Sequence, residues 1–338
     1  MGDVSGFTED ELLEMVRRVL SGPAPGVVLG PGDDAALVEP GRHLGVLTVD
    51  LLVEGVDFDR SSYTARDVGY KAVAVNVSDV AAMGASPRYG LVAVGLPPSV
   101  DARWAVELVA GMRAAADEYG LALVGGDLSR ASEVTVAVTL TGEVPEGGAV
   151  TRAGARPGDR VVVTGALGAA AGGLLLLRAP ASSVAAVVAS SWARRLVEAQ
   201  LRPRARVGEG RTLASAGATA MIDVSDGFAK DLSRLCAASG VGATVRLADL
   251  PLAAELGELS RHVPAEPLGL ALGGGEDFEL LAALPAEGVA KARTVLLERF
   301  GTPLADVGEI REGSGLVAID EDGAERPLEP RGWDHFAG

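Results

Sequence analysis

Where this chain puts its acids restricts its fold more than any other feature. In Ile222-Asp223-Val224-Ser225-Asp226-Gly227, two carboxylates flank one hydroxyl between an apolar approach at 218–222 and a helix-like run at 228–238. A strand giving way to a helix there carries both acids at the junction. An isolated carboxylate in apolar surroundings is costly unless it is paired or holds a cation. The placement recurs at Gly32-Asp33-Asp34, Val49-Asp50, Ser78-Asp79, Gly126-Asp127 and Gly275-Glu276-Asp277. Nitrogen donors are scarce, with His43, His262 and His335 far apart. Acids beside glycine or at the ends of apolar strings, without histidine, read as a cage of hard oxygen ligands for magnesium and phosphates.

The 338 residues suffice for two ordinary domains with sizeable cores. A net charge of −16 argues against a nucleic-acid partner or an anionic membrane surface, while bound Mg²⁺ can still reverse the sign locally. Cys236 stands alone, which excludes an intrachain disulfide and a Cys-rich zinc site. The first 14 residues are acidic and lack the apolar core of a secretory signal. The most apolar stretch, 167–192, is broken by Arg178 and Pro180, short of the ~20 uninterrupted residues a membrane span needs. A cytoplasmic location is expected.

In chain order, Thr8 and Glu11 form a capping box for a helix to about Leu20. A short strand, 27–29, closes at Gly30-Pro31-Gly32, and Asp33 and Asp34 follow on a tight turn. A second strand runs from Leu44 towards Val53, and a regular pleat puts Thr48, Asp50 and Leu52 on one face. Thr64 and Asp67 cap a helix over 65–83, which carries Lys71 and Ser78 and places Asn76 and Asp79, i and i+3, on one side. Strands over 89–95, 121–124 and 133–141 and a helix over 101–119 complete the first half. Gly125-Gly126-Asp127 follows the 121–124 strand, where two glycines let N–H groups approach a phosphate and the aspartate can then reach its metal. Gly, Pro and charge at 145–157 mark a boundary between domains 1–148 and 149–338. Arg152, within it, is a candidate phosphate-binding guanidinium, although a linker arginine is commonly just solvated.

The second half restarts with a strand at 160–165 and a glycine turn into a helix at 168–177. It has no Gly-Lys-Ser/Thr and no full Gly-x-Gly-x-x-Gly, so its glycines read as packing. A helix over 183–200, strands over 242–247 and 278–284 and two short strands in the tail follow. Trp333, near the terminus, can cover a core edge or stack on a flat ligand.

Gly-x-Gly-Asp-Asp-Ala-Ala from Gly30, the Asp50 strand, Asn76–Ala85, Gly-Gly-Asp, Thr-Arg-x-Gly-Ala-x-Pro-Gly-Asp from Thr151, Ile-Asp-x-Ser-Asp-Gly and Gly-Gly-Gly-Glu-Asp occur in one order. Each is weak alone; the ordered set resembles the thiamine-monophosphate kinase family, of the superfamily that includes aminoimidazole ribonucleotide synthetase and selenophosphate synthetase. The resemblance covers essentially the whole chain. It implies an α/β (α+β) fold of two domains, the first binding ATP and Mg²⁺ and forming a β-barrel with its counterpart in a homodimer. The second, an α/β domain, completes the nucleotide and substrate site.

Matched motif by motif, Asp34, Thr48, Asp50, Asp79, Asp127, Asp223 and Asp226 fall on the family's metal positions, with Val49 acting through its backbone. Gly126, Asp127, Arg152 and Ser225 fall on nucleotide positions, and Glu276 and Trp333 on thiamine-phosphate positions. Asp57 stands where many members have a substrate-holding histidine. The implied reaction is in-line transfer of the γ-phosphoryl group of ATP to thiamine monophosphate, with Asp50, Asp226 and Arg152 as the catalytic set. The acceptor phosphate, with a second pKa of ~6, needs no general base. Several Mg²⁺ ions and Arg152 would offset repulsion between two polyanions. Competing readings are a synthetase that activates an amide oxygen, a non-catalytic Mg-nucleotide-binding dimer, and acids that are merely solvated turns.

Overall fold

The computed structural model describes residues 15, 16, 18–20, 22, 25–29, 37, 38, 45–180, 184 and 187–333. The chain divides into two units, residues 1–80 with 86–146, and residues 81–85 with 147–338.

In the first unit, β1 (Val27–Leu29) and β2 (Leu37–Val38) form an antiparallel pair. Then come β3 (Gly45–Val53), α1 (Ala65–Ala82), β4 (Ser86–Leu96), α2 (Ala102–Tyr119), β5 (Ala122–Arg130) and β6 (Thr135–Glu143). The sheet runs β3-β6-β4-β5, with only β4 and β5 parallel. Strand alternation sorts β3 cleanly: Val46 and Leu52 are buried while Leu47, Val49 and Leu51 are exposed on the other face. Helix α1 buries residues all round, including Val68, Val73, Asn76, Val77 and Ser78, as a helix enclosed by its neighbours must. It meets α2 backbone to backbone, since a Cβ on Gly69 would lie 1.9 Å from the carbonyl oxygen of Leu108. Asp101 starts α2 by accepting the N–H of Trp104 at 2.7 Å, and Gly120, left-handed at φ 70, ends it.

Gly125-Gly126-Asp127 does not follow the expected 121–124 strand but continues it: all three lie inside β5. A Cβ on Gly126 would sit 2.1 Å from the carbonyl oxygen of Val92, so the glycine admits close pairing with β4. A ladder partner outweighs the local tendency of glycine to break a strand.

The second unit contains β7 (Arg160–Thr164), α3 (Ala169–Arg178), α4 (Ser191–Leu201), α5 (Val207–Ser215), β8 (Ala220–Asp223), α6 (Phe228–Ser239) and β9 (Gly242–Arg246). It continues with α7 (Leu256–Leu259), α8 (Pro267–Gly273), β10 (Leu280–Leu284), α9 (Ala286–Phe300), β11 (Leu304–Arg311), β12 (Leu316–Ile319) and β13 (Glu325–Pro327). Its sheet has the order β13-β12-β9-β11-β7-β10-β8 and is covered on both faces. Val161, Val163, Ile222 and Leu281 pack with Phe228, Leu232 and Leu235 of α6 on one side. Val162, Met221, Leu280 and Ala282 pack with Leu213 of α5 and Val289, Ala292 and Leu296 of α9 on the other. Double coverage explains why β10 and Val161–Val163 of β7 are unbroken apolar runs; each large side chain so buried stabilises by roughly 1.5–3 kcal/mol. Helix α4 starts at Ser191, where Ser190 accepts the N–H of Ala193 and caps it; residues 183, 185 and 186 of the expected 183–200 helix lie outside the described residues.

Candidate active site

The first unit gathers polar groups where the inward face of β3 meets α1. Thr48 Oγ1 donates to Asp79 Oδ2 at 2.5 Å. The N–H of Asp50 donates to Asn76 Oδ1 at 3.0 Å, and Asn76 Nδ2 donates to the carbonyl of Ala72 at 2.9 Å. Strand period two and helical i,i+3 spacing thus bring the four residues together. Burial, then the charge of Asp79, then that of Asp57 push the Asp50 carboxyl up to about 7. A carboxylate so placed has a strong electrostatic demand for a cation.

Asp57 accepts the N–H of Val53 at 2.8 Å and so holds its own turn. Val49 turns its side chain to the exposed face. Asp127 is exposed on β5, at the opposite edge of the sheet from β3. Three strand spacings, roughly 14 Å, separate those edges within one chain. Asp34 lies outside the described residues. Among the described residues, no group of three or more acid, histidine or cysteine side chains is already drawn together for metal binding.

The second unit builds its polar set at the β8–α6 junction. Asp223 ends β8 and is 3% exposed. Three backbone bonds weld the following loop to the 276–279 segment: Val224 N–H to Glu279 O at 2.8 Å, Phe278 N–H to Val224 O at 2.9 Å and Glu276 N–H to Ser225 O at 2.7 Å. The N–H of Trp333 donates to Asp226 O at 2.9 Å, and Lys230 donates to the carbonyl of Trp333. Ser225, Asp226, Glu276 and Trp333 are therefore neighbours through their backbones. The Asp226 carboxylate is paired with Arg234 at 2.6 Å and Lys230 at 3.3 Å.

Glu276 and Phe278 both have positive φ, 60° and 49°, a costly conformation for residues with side chains. The alternation separates two adjacent acids. Glu276 accepts a hydrogen bond from Gln200. Asp277 accepts the N–H groups of Gly168 at 2.7 Å and Ala170 at 3.2 Å, which caps α3. Arg152 is exposed. Its segment is fixed beside β8, with Thr151 O accepting the Met221 N–H at 3.0 Å and Arg152 O accepting the Ser239 hydroxyl at 3.0 Å.

Sequence reading did not single out Asp231, Arg234, Lys230, Gln200, Arg206 or Glu279. Arg206 grips Glu279 with two bonds, at 2.5 and 2.8 Å, and Thr164 adds a third at 2.6 Å. Burial raises the Glu279 carboxyl, and the guanidinium of Arg206 opposes that rise. Asp231 left one signal in the sequence, an acid in the first turn of a helix that opens on glycine. No such local pattern marks the others.

Residues 32–144 match the model of the AIR synthase related protein, N-terminal domain, and residues 156–321 match its C-terminal counterpart. The thiamine-monophosphate kinase of Escherichia coli strain K12 is 37% identical over 313 residues, covering 92% of this chain and 93% of that protein. The crystal structure of thiamine-monophosphate kinase from Stenotrophomonas maltophilia K279a superposes with a TM-score of 0.79 at 35% identity, over 92% of this chain and 96% of that one. The structure of AaThiL complexed with AMPPCP and TMP gives a TM-score of 0.76 at 32% identity, over 99% of each chain. With both domain models matched in order and relatives this similar over nearly its full length, the chain belongs to the thiamine-monophosphate kinase family.

Proposed function

We propose that this protein transfers the γ-phosphoryl group of ATP to thiamine monophosphate, giving thiamine diphosphate and ADP. One observation carries the reading: Asp50 and Asp79 lie side by side on the inward face of β3 and α1, held by Asn76 and Thr48, with burial and the neighbouring acids pushing the Asp50 carboxyl up. The structure of AaThiL complexed with AMPPCP and TMP supports it, since AMPPCP is an analogue of a nucleoside triphosphate.

The donor set fits magnesium, being carboxylate and hydroxyl oxygen without histidine or thiolate. Thr48, Asp50, Asp79 and the backbone of Val49 in the first unit, with Asp127, Asp223 and Asp226, would hold it; Asp34 is assigned from sequence alone. Several Mg²⁺ ions, when bound, neutralise charge on the phosphates. The protein's own part is placement. Asn76 fixes the backbone of Asp50 and Thr48 orients Asp79, so the acids need not reorganise when ligands arrive. Gly126, Ser225 and Arg152 serve the nucleotide, with Arg152 adding a charge that can follow the transferring group. Glu276, Trp333 and Asp57 serve thiamine phosphate. No general base is needed, because the nucleophile is a phosphate oxygen already ionised near neutral pH.

Residues 1–148 would bind metal and form a homodimer, and residues 149–338 would complete the nucleotide and substrate site. The exposed Leu47, Val49, Leu51 and Leu91 on one sheet face, together with the open edges β3 and β5, support pairing with a second copy into a barrel. No described helix is long and apolar enough to cross a membrane, and the lone cysteine suits a reducing cytoplasm. The test is coupled ADP release with thiamine monophosphate, with and without Mg²⁺, beside a panel of other phosphate monoesters and amide substrates. Release that is independent of thiamine monophosphate would remove the reading.

A further inference from the structure

The amides of Ser225, Asp226 and Gly227 converge on a single oxygen, Oδ2 of Asp231, at 3.1, 2.9 and 3.1 Å. Asp231 sits in the first turn of α6 with its side chain fully buried. Its other oxygen, Oδ1, takes Nη1 of Arg234 at 2.9 Å, and Nη2 of the same guanidinium reaches Asp226 at 2.6 Å. An ordinary helix cap lies before the helix and reaches forward to its first amides. Here the acid lies inside the helix and reaches back to the loop.

Burying a carboxylate is unfavourable, and a plain loop-to-helix turn could be capped by a serine hydroxyl instead. What the charge adds is the capacity to hold three consecutive N–H groups at once by charge-assisted bonds. Everything the loop presents is thereby tied to one atom. The carbonyl of Ser225 holds the N–H of Glu276, and that of Asp226 holds the N–H of Trp333. Gly227 cannot yield either, for a Cβ there would stand 2.9 Å from Gly273.

We infer that Asp231 is a positioning residue that sets the place of Ser225 and Asp226 for the metal and nucleotide. The inference rests on the reading of Asp226 as a metal ligand given above. Loss of the charge would leave the amides on weaker acceptors, free the loop and lower its affinity for a divalent ion, without removing any ligand.

The test uses the full chain with Asp231→Asn, and with Asp249→Asn as a control at a surface pair with Arg246. Free Mn²⁺ is followed by electron paramagnetic resonance in the presence of AMPPCP, amide hydrogen exchange is read over 224–228, and turnover is measured against Mg²⁺ concentration. For Asp231→Asn, Mn²⁺ affinity falls at least tenfold and exchange rises in that segment. The Mg²⁺ activation curve moves at least tenfold to higher concentration, and saturating Mg²⁺ restores most of kcat. A merely destabilised protein would instead lose kcat at every Mg²⁺ concentration. Mn²⁺ affinity within twofold of wild type in a folded variant overturns the proposal, as does a loss of kcat that Mg²⁺ does not restore. If Asp231→Asn does not fold, Asp231→Glu, which keeps the charge but displaces it by one methylene, is held to the same criteria. Wild-type protein that binds Mn²⁺ with AMPPCP but does not phosphorylate thiamine monophosphate would defeat the functional reading and leave the positioning role readable.

Discussion

The N–H of Asp50 donates to the side chain of Asn76 at 3.0 Å, across 26 residues of sequence. A helix amide thus holds the strand backbone from which the Asp50 carboxylate projects, and Thr48 holds Asp79 beside it. Two acids are fixed close together by neutral groups, an amide and a hydroxyl.

That arrangement is costly without a cation and useful with one. Replacing Asp50 by Asn removes the charge that burial and Asp79 disfavour. The metal-free Asp50→Asn protein is expected to unfold at the same temperature as wild type or higher, measured at pH 8. Turnover is expected to fall by about 10²–10³-fold, the usual scale for losing one preorganised electrostatic contact. Asp226→Asn is expected to lose turnover to a similar degree. Near-normal activity in either variant would count against the carboxylate set.

The pair of Arg206 and Glu279 is nearly enclosed, their side chains 14% and 6% exposed. Arg206→Met keeps the volume but leaves the acid without its principal counter-charge, so urea unfolding should show a loss of roughly 3–5 kcal/mol. Adding Glu279→Gln should recover part of that loss. A double variant less stable than Arg206→Met alone would show that Glu279 is satisfied chiefly by Thr164.

Gly332 is the close contact through which the tail docks, since a Cβ there would lie 2.5 Å from the carbonyl oxygen of Asp226 and 2.8 Å from Lys230. Gly332→Ala should push Trp333 away from its bond to Asp226. Under the proposed role of Trp333 in holding thiamine phosphate, the KM for that substrate should rise several-fold while the KM for ATP changes little. Steady-state kinetics varying each substrate in turn decide this, and equal rises in both would point to a wider collapse.

Leu47 and Leu51 are 76% and 54% exposed on the uncovered face of the first sheet. By light scattering wild type should be a dimer, as proposed, and the double variant Leu47→Glu, Leu51→Glu a monomer. Because the opposite face of β3 carries Thr48 and Asp50, its far-ultraviolet circular dichroism should be unchanged. A wild-type protein that is monomeric at micromolar concentration would remove the homodimer from the proposal.

Local periodicity was enough for part of the site. The pleat puts Thr48 and Asp50 on one face of β3, and helical spacing puts Asn76 and Asp79 on one side of α1; both relations follow from chemistry within a few residues. The βα junction at Asp223–Gly227 was equally legible, for an apolar run that stops at acids and glycine can hardly continue as a strand. Tertiary structure decided which faces meet and which acids turn inward. Gly125 and Gly126 lie within β5 because β4 offers a ladder and needs the room, which no local preference could disclose. Glu276 and Asp277 are adjacent in sequence, yet one takes Gln200 while the other caps α3, because partners 76 and 109 residues away stabilise each orientation. Asp231 looked like any acid in a first turn until the fold brought three amides and an arginine onto it. Short-range sterics and side-chain period act within a turn or two of chain, whereas the desolvation of a buried charge is settled only by what the whole fold places around it.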